Sequence, residues 1–186
     1  MRMAIAVGLF GLVSVIAGWA HGDTIGLYSD TWGTNCNISE NVPLTYVYVV
    51  HTAPGGATAS EFSAPKPACW TGATWMGDQE RFLCLIGCGD SQTGKTIGYG
   101  SCVAGSIHIL TIMYFTAGAS GPCCAYPLLP HPGVAGGQVQ VADCDFNVAP
   151  GVGLMGVVNG NATCPCGYPV PLEETTWGQV KALYGE

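Results

Sequence analysis

Residues Phe82–Cys102 read FLCLIGCGDSQTGKTIGYGSC, and two incompatible structures can be drawn through them. Gly89-Asp90-Ser91-Gln92-Thr93-Gly94-Lys95-Thr96 fits G-x-x-x-x-G-K-[ST], the loop whose backbone N–H groups cradle phosphates while its Lys and Thr serve the terminal phosphates and Mg²⁺. Such a loop has to open a helix, because the unpaired N–H groups of a helix start receive the phosphates. Ile97-Gly98-Tyr99-Gly100-Ser101 follows instead, a poor helix former. Cys84, Cys88 and Cys102 crowd the same stretch and point to an oxidising compartment, where no nucleotide is expected. The stretch therefore reads as a β-hairpin, with Arg81–Ile86 and Lys95–Tyr99 as its arms and Asp90, Gln92 and Gly94 as turn residues.

The rest of the chain agrees with export. Arg2 precedes an apolar run, Ala4 to Gly18, and Ala20-His21-Gly22 supplies small residues at the positions that determine cleavage, so residues 1–22 read as a secretory signal. The run is short for a membrane span of roughly twenty residues, and no span is expected once it is removed. Ten cysteines, at 36, 69, 84, 88, 102, 123, 124, 144, 164 and 166, read as disulfide partners. They allow roughly a thousand pairings, and sequence does not choose among them. Adjacent Cys123 and Cys124 are expected to take different partners, because a ring across one peptide bond is strained. Only 9% of the 186 residues are charged, and the net charge is −7. Lys66, Arg81, Lys95 and Lys181 are scattered singly, which excludes the clustered cationic surface that nucleic acid needs.

Short β-branched and aromatic runs alternate with Gly, Pro, Asn and Asp, the pattern of an all-β sandwich. Thr24–Tyr28 is a first strand. Leu44–His51 (LTYVYVVH) is a second, with Val47 and Val49 facing the core. Pro54-Gly55-Gly56 is expected to turn it back as a hairpin onto Ala57–Ala64, anchored by Phe62. Ile107–Phe115 is apolar on both alternations, as a central strand covered on both faces should be. Val139–Ala142 and Leu154–Val158 supply later strands. Residues 167–186 form a Pro-punctuated connector and a short helix, since Thr176 and Gln179 fit a capping box and Trp177, Val180 and Tyr184 share one helical face.

Catalytic constellations are sparse. There is no G-x-S-x-G, and cysteines held as disulfides are not nucleophiles to pair with His51 or His108. Zinc would need a second ligand pair at finger-like spacing, which Cys84-x3-Cys88 and Cys164-x-Cys166 lack. Asp78 with Glu80, Asp143 with Asp145, and Glu173 with Glu174 are carboxylate pairs of the kind glycosidases use, but as loop residues they read as solvated. No catalytic residue, metal ligand or cofactor is expected. Trp32, Trp70 and Trp75 stand in polar, Gly-rich segments and are the candidate ligand-binding residues, since exposed rings stack on sugars or anchor proteins; the competing reading has them cap the ends of the sandwich core beside Cys69. Asn37-Ile38-Ser39 and Asn161-Ala162-Thr163 are glycosylation sequons and mark surface loops.

TIGLYSD, VPLTYVYVVHTAPGGATASEFSAP and GDSQTGKTIGYGSC together resemble exported bacterial proteins with a cohesin-like or similar adhesion-type β-sandwich, and VPLEETTWGQVKALYGE is similar to a short tail of such proteins. The resemblance implies a partner- or carbohydrate-associated module and brings no catalytic residues. The expectation is a secreted, disulfide-stabilised antiparallel β-sandwich over residues 23–166. Its expected role is non-catalytic binding of an extracellular glycan or protein at the cell surface or beyond. The alternatives are a self-associating structural subunit of a filament or envelope layer and, less favoured, a glycan hydrolase.

Overall fold

A computed structural model describes residues 22–82, 88–134, 137–164 and 166–167. The signal at 1–22, but for Gly22, and the C-terminal helix fall outside these residues, as do Cys84 and most of the expected strand at 81–86. The described chain is all β, with ten strands: β1 Thr24–Tyr28, β2 Asn37–Ile38, β3 Leu44–Phe62, β4 Ala73–Glu80, β5 Gly89–Asp90, β6 Gly94–Thr116, β7 Cys124–Tyr126, β8 Val139–Asp143, β9 Val148–Leu154 and β10 Gly156–Val158.

The long strands β3 and β6 form an antiparallel ribbon on which the larger sheet, β1-β9-β8-β3-β6-β4, is built, with β5 folded onto the start of β6 and β1 also paired to β3. A smaller sheet, β2-β10-β7, packs beside it. β1 lies against the first half of β3 and β8 against the second. The circuit β1-β3-β8-β9 closes through three antiparallel pairings and one parallel one, β1 with β9. Antiparallel steps alone would leave β1 and β9 opposed, so β3 must change direction between its halves. It does so at Pro54-Gly55-Gly56, where the β3–β6 register shifts between Ala53 and Ala57.

This corrects the expected hairpin of Leu44–His51 with Ala57–Ala64. Both halves pair with β6 and not with each other, residues 44–53 opposite 105–115 and 57–62 opposite 95–103. Pro54-Gly55-Gly56 therefore makes an irregular bend within one strand, a place where Pro and Gly are tolerated in sheets. Gly56 is needed there twice over: its φ is +86°, and an added Cβ would lie 2.6 Å from the Cys144 sulfur and 2.9 Å from that of Cys102. The two parallel pairings, β1–β9 and β2–β10, likewise depart from a purely antiparallel sandwich.

Burial follows the alternation. Val47, Val49 and Phe62 point inward with Ile25, Leu27, Ile97 and Ile109, all buried, each such side chain contributing roughly 1.5–3 kcal/mol. Leu110, Thr111 and Ile112 are buried on successive positions, Leu110 and Ile112 in the core and Thr111 on the opposite face beside His108, but that face is open at Phe115, so the strand expected to be covered on both faces is covered on one only there. Strand β4 was hidden in the sequence by a bulge between Trp75 and Gly77, which breaks its period of two.

Four disulfides tie the layers among the described residues: Cys36–Cys166, Cys69–Cys124, Cys102–Cys144 and Cys123–Cys164. Cys88 is disulfide-bonded as well. Neighbouring Cys123 and Cys124 do take separate partners, and Cys123 has a positive φ of 63° that splays them apart.

Candidate functional site

The segment Gly89–Thr96 is a hairpin turn. Gly89 pairs with Lys95 and Asp90 with Gly94. Asp90 closes the turn by accepting hydrogen bonds from the backbone N–H of Gln92 and of Thr93 and from the Thr93 hydroxyl. The Ser91 N–H and hydroxyl go to Asp78 at 2.6 and 2.8 Å. A phosphate would thus meet carboxylates where it needs free donors. Lys95 is buried and donates to Glu80 and to the Gly89 carbonyl, while the Thr96 hydroxyl donates to Glu61. Gln92 reaches inward and donates to the Tyr114 hydroxyl, which shares a 2.6 Å hydrogen bond with Tyr126. Every polar residue of the match has a structural task.

The three candidate tryptophans part company. Trp70 is 0% exposed, its ring 4.3 Å from that of Tyr114 and 5.9 Å from that of Tyr126. It is a core residue and presents no face to a ligand, which corrects its candidacy as a binding residue and agrees with the reading of it as a core cap. Trp75 is half-buried against the core and donates to Asp78. Trp32 is 75% exposed, in a loop organised by Asp30, whose carboxylate accepts from the N–H groups of Trp32, Thr34 and Asn35 and from the Thr34 hydroxyl. Those bonds hold the Asp30 carboxyl below its usual range, although its partial burial pulls the other way.

A surface that was not singled out in the sequence lies beside this loop. In β3, Thr45, Val47 and Val49 are buried, so Leu44, Tyr46 and Tyr48 face outward. Leu44 is opposite Phe115, Tyr46 opposite Met113 and Tyr48 opposite Thr111 across the β3–β6 ribbon. Tyr46 is 43% and Phe115 50% exposed. Met76, the unpaired residue of the β4 bulge, is exposed too. Tyr48 meets His108 edge-on at 5.3 Å, and burial pushes the His108 pKa down. The alternation in LTYVYVVH carried this signal: placing Val47 and Val49 inward places both tyrosines outward.

Between this face and residues 35–41 runs a cleft of about 400 Å³ whose walls include Asn35, Ser39, Asn41, Tyr46 and Tyr48. The segment is braced from behind. Glu40 turns away, its carboxylate accepting from Ser120 and Asn159. Asn37 exchanges two hydrogen bonds with the Gly160 backbone, and Cys36 is tied to Cys166.

Of the carboxylate pairs, Glu173 with Glu174 lies outside the described residues, and the other two carry structural hydrogen bonds. Asp143 accepts from the N–H groups of Asp145 and Asn147 and from the Asn147 amide, bonds that lower its pKa and suit it poorly to act as a general acid. Asp78 is bonded to Ser91 and Trp75, and Glu80 to Lys95. His51 is buried and shares a 2.6 Å hydrogen bond with the Tyr99 hydroxyl. No cysteine among the described residues is free.

No protein-family model matches the chain, and no curated protein matches it. Among solved structures it is similar to the sixth cohesin of scaffoldin B from Acetivibrio cellulolyticus, determined in complex with a mutant Cel5 dockerin. That likeness has a TM-score of 0.50 at 10% identity and covers 75% of this chain and 99% of the cohesin. It is also similar to a non-cellulosomal cohesin from the hyperthermophilic archaeon Archaeoglobus fulgidus, with a TM-score of 0.43 at 11% identity, over 89% of this chain and 99% of that one. At such identity the first likeness speaks to architecture alone, and the architecture is a cohesin-like all-β fold.

Proposed function

We propose that this chain is a non-catalytic extracellular binding module that receives a protein partner on the outward face of β3 and β6. The observation that carries this reading is the row Leu44, Tyr46 and Phe115, exposed on a rigid sheet with Met76 on the adjoining strand. Clustered apolar and aromatic side chains left open to water on a folded sheet mark interaction surfaces. The chain carries a net charge of −7, so the partner fitted to it has an apolar centre and a basic rim. Four disulfides among the described residues suit an oxidising, extracellular setting. The similar scaffoldin cohesin was solved with a protein, a dockerin, bound, which supports a protein partner here as well.

The test uses oxidised protein to capture partners from the extracellular fraction of its source by cross-linking, followed by titration with the purified partner. Phe115→Glu is expected to weaken that complex by at least tenfold, with increasing salt weakening it further. Undiminished binding by Phe115→Glu would overturn the assignment of this face. Polysaccharide turnover that is lost in Asp143→Asn would overturn the non-catalytic reading.

A further inference from the structure

We propose that the cleft between residues 35–41 and the Tyr46–Tyr48 pair is a binding site for a neutral glycan, which shares Tyr46 with the protein-docking row and lies apart from Phe115. The cleft has about 400 Å³, within the range of small-ligand sites. Ile38 apart, its lining is amide, hydroxyl and aromatic ring. Asn35 has its oxygen occupied by the Asn37 N–H, which leaves its NH₂ to donate. The side chains of Ser39, Asn41, Tyr46 and Tyr48 carry no hydrogen bond among the described residues. A cluster of uncommitted donors and acceptors beside two aromatic rings matches a sugar, which offers hydroxyls at its rim and C–H groups on its faces.

Charge has been kept out of the site. The two acids nearest in sequence, Asp30 and Glu40, are each consumed by the scaffold: Asp30 closes its own loop and Glu40 faces Ser120 and Asn159. A charged saccharide would therefore find no ionic partner among the lining residues, whereas a neutral one loses nothing. The site is also built before any ligand arrives. Ile38 is buried, β2 is paired to β10, Asn37 is locked to Gly160 and the Cys36–Cys166 bridge holds the segment. A pre-organised wall spares the ordering cost of binding. Trp32 is exposed in the loop between lining residues Ser29 and Asn35.

A peptide is the competing ligand, and backbone geometry argues against it. Peptide recognition at sheets uses rows of free backbone groups, yet the N–H groups of Asn37, Glu40 and Asn41 are already donated to Asn35, Asn159 and Thr45. What remains to offer is side-chain chemistry.

The test is an array of neutral and acidic oligosaccharides and of neutral peptides probed with oxidised full-length protein, followed by calorimetry with the best ligand. A neutral oligosaccharide is expected to bind. Asn41→Ala and Tyr48→Ala are expected to weaken it at least tenfold while Phe115→Glu leaves it unchanged, so these variants tell the cleft from the Phe115 end of the docking row although the two share Tyr46. Tyrosine ring resonances of the unsubstituted protein should shift on adding the same sugar, which keeps the test independent of variant folding. Binding of no neutral glycan, retention of affinity in the folded Asn41→Ala variant, or preference for a peptide or an acidic glycan would each overturn the proposal.

Discussion

Lys95 places its ammonium 2.5 Å from a Glu80 carboxylate oxygen and 2.9 Å from the Gly89 carbonyl, with its side chain 2% exposed and that of Glu80 33% exposed. A lysine that would serve phosphates in another fold is here an internal strut between β6 and the end of β4. The two ends of the pair are unequal, because water can reach the acid and not the amine. Glu80→Gln strands a buried ammonium and is expected to cost about 2–3 kcal/mol. Lys95→Met leaves a carboxylate that water can solvate and refills the buried volume, so it should cost less. Denaturant unfolding checks the order, and equal losses would contradict the geometry. Titration of the oxidised protein with Mg-ATP is expected to show no saturable binding.

The disulfide pattern predicts a definite peptide map. Digestion under nonreducing conditions should release Cys102 linked to Cys144 as a separate pair, and one cluster in which the peptide holding Cys123 and Cys124 joins that of Cys69 to that of Cys164 and Cys166, the last also carrying Cys36. Cys36–Cys166 spans 130 residues and holds the cleft wall. Replacing both with Ala is expected to lower stability by about 2–4 kcal/mol and to weaken ligand binding at the cleft. A variant that loses stability and keeps full affinity would show that the wall is held by Asn37 and β2 alone.

Trp70 and Trp32 are expected to behave oppositely. Trp70→Ala removes a ring packed on Tyr114 and Tyr126 and should cost about 3–5 kcal/mol. The indole N–H of Trp70 is buried without a hydrogen-bond partner among the described residues, so Trp70→Phe should lose less than half as much. Trp32→Ala should stay within about 0.5 kcal/mol. Thermal or denaturant melts of the three variants give the comparison.

What could be read from sequence was set by near neighbours along the chain. Thr24–Tyr28, the inward Val47, Val49 and Phe62, and the turn around Asp90–Gly94 follow from alternation and turn chemistry, and the structure keeps them. The errors are all long-range. Pro54-Gly55-Gly56 looks like a hairpin turn until β6 supplies a partner for both sides of it, and Trp70 reads equally as a ligand-stacking ring or a core cap until Tyr114 and Tyr126 arrive to cover it. The outward tyrosines were legible in principle, because Tyr46 and Tyr48 are the complement of Val47 and Val49. The cleft was not, because its other wall depends on Cys36 finding Cys166 and on Glu40 finding Asn159.

His51 gives the protein a pH dependence with a definite sign. Its Nδ1 is bonded to the Tyr99 hydroxyl and its Nε2 lies 3.6 Å from an Asp23 oxygen, and burial pushes its pKa down to about 4. The unfolded value is about 6.5, so between those limits the unfolded chain binds the extra proton. The stabilisation is therefore complete above about pH 6.5 and is lost as pH falls toward 4, by up to about 3 kcal/mol. His108, also lowered by burial, adds with the same sign. Asp23 works against them: its burial and nearby Asp143 raise its pKa. It contributes most when protonated, which offsets part of the loss at the acid end. Unfolding free energy measured at pH 7.5 and at pH 4.5 should fall by a few kcal/mol for the unsubstituted protein. His51→Gln should be less stable at pH 7.5, for want of the Tyr99 bond, yet show a flatter profile across the window. An unchanged slope in His51→Gln would assign the pH dependence to the carboxylates instead.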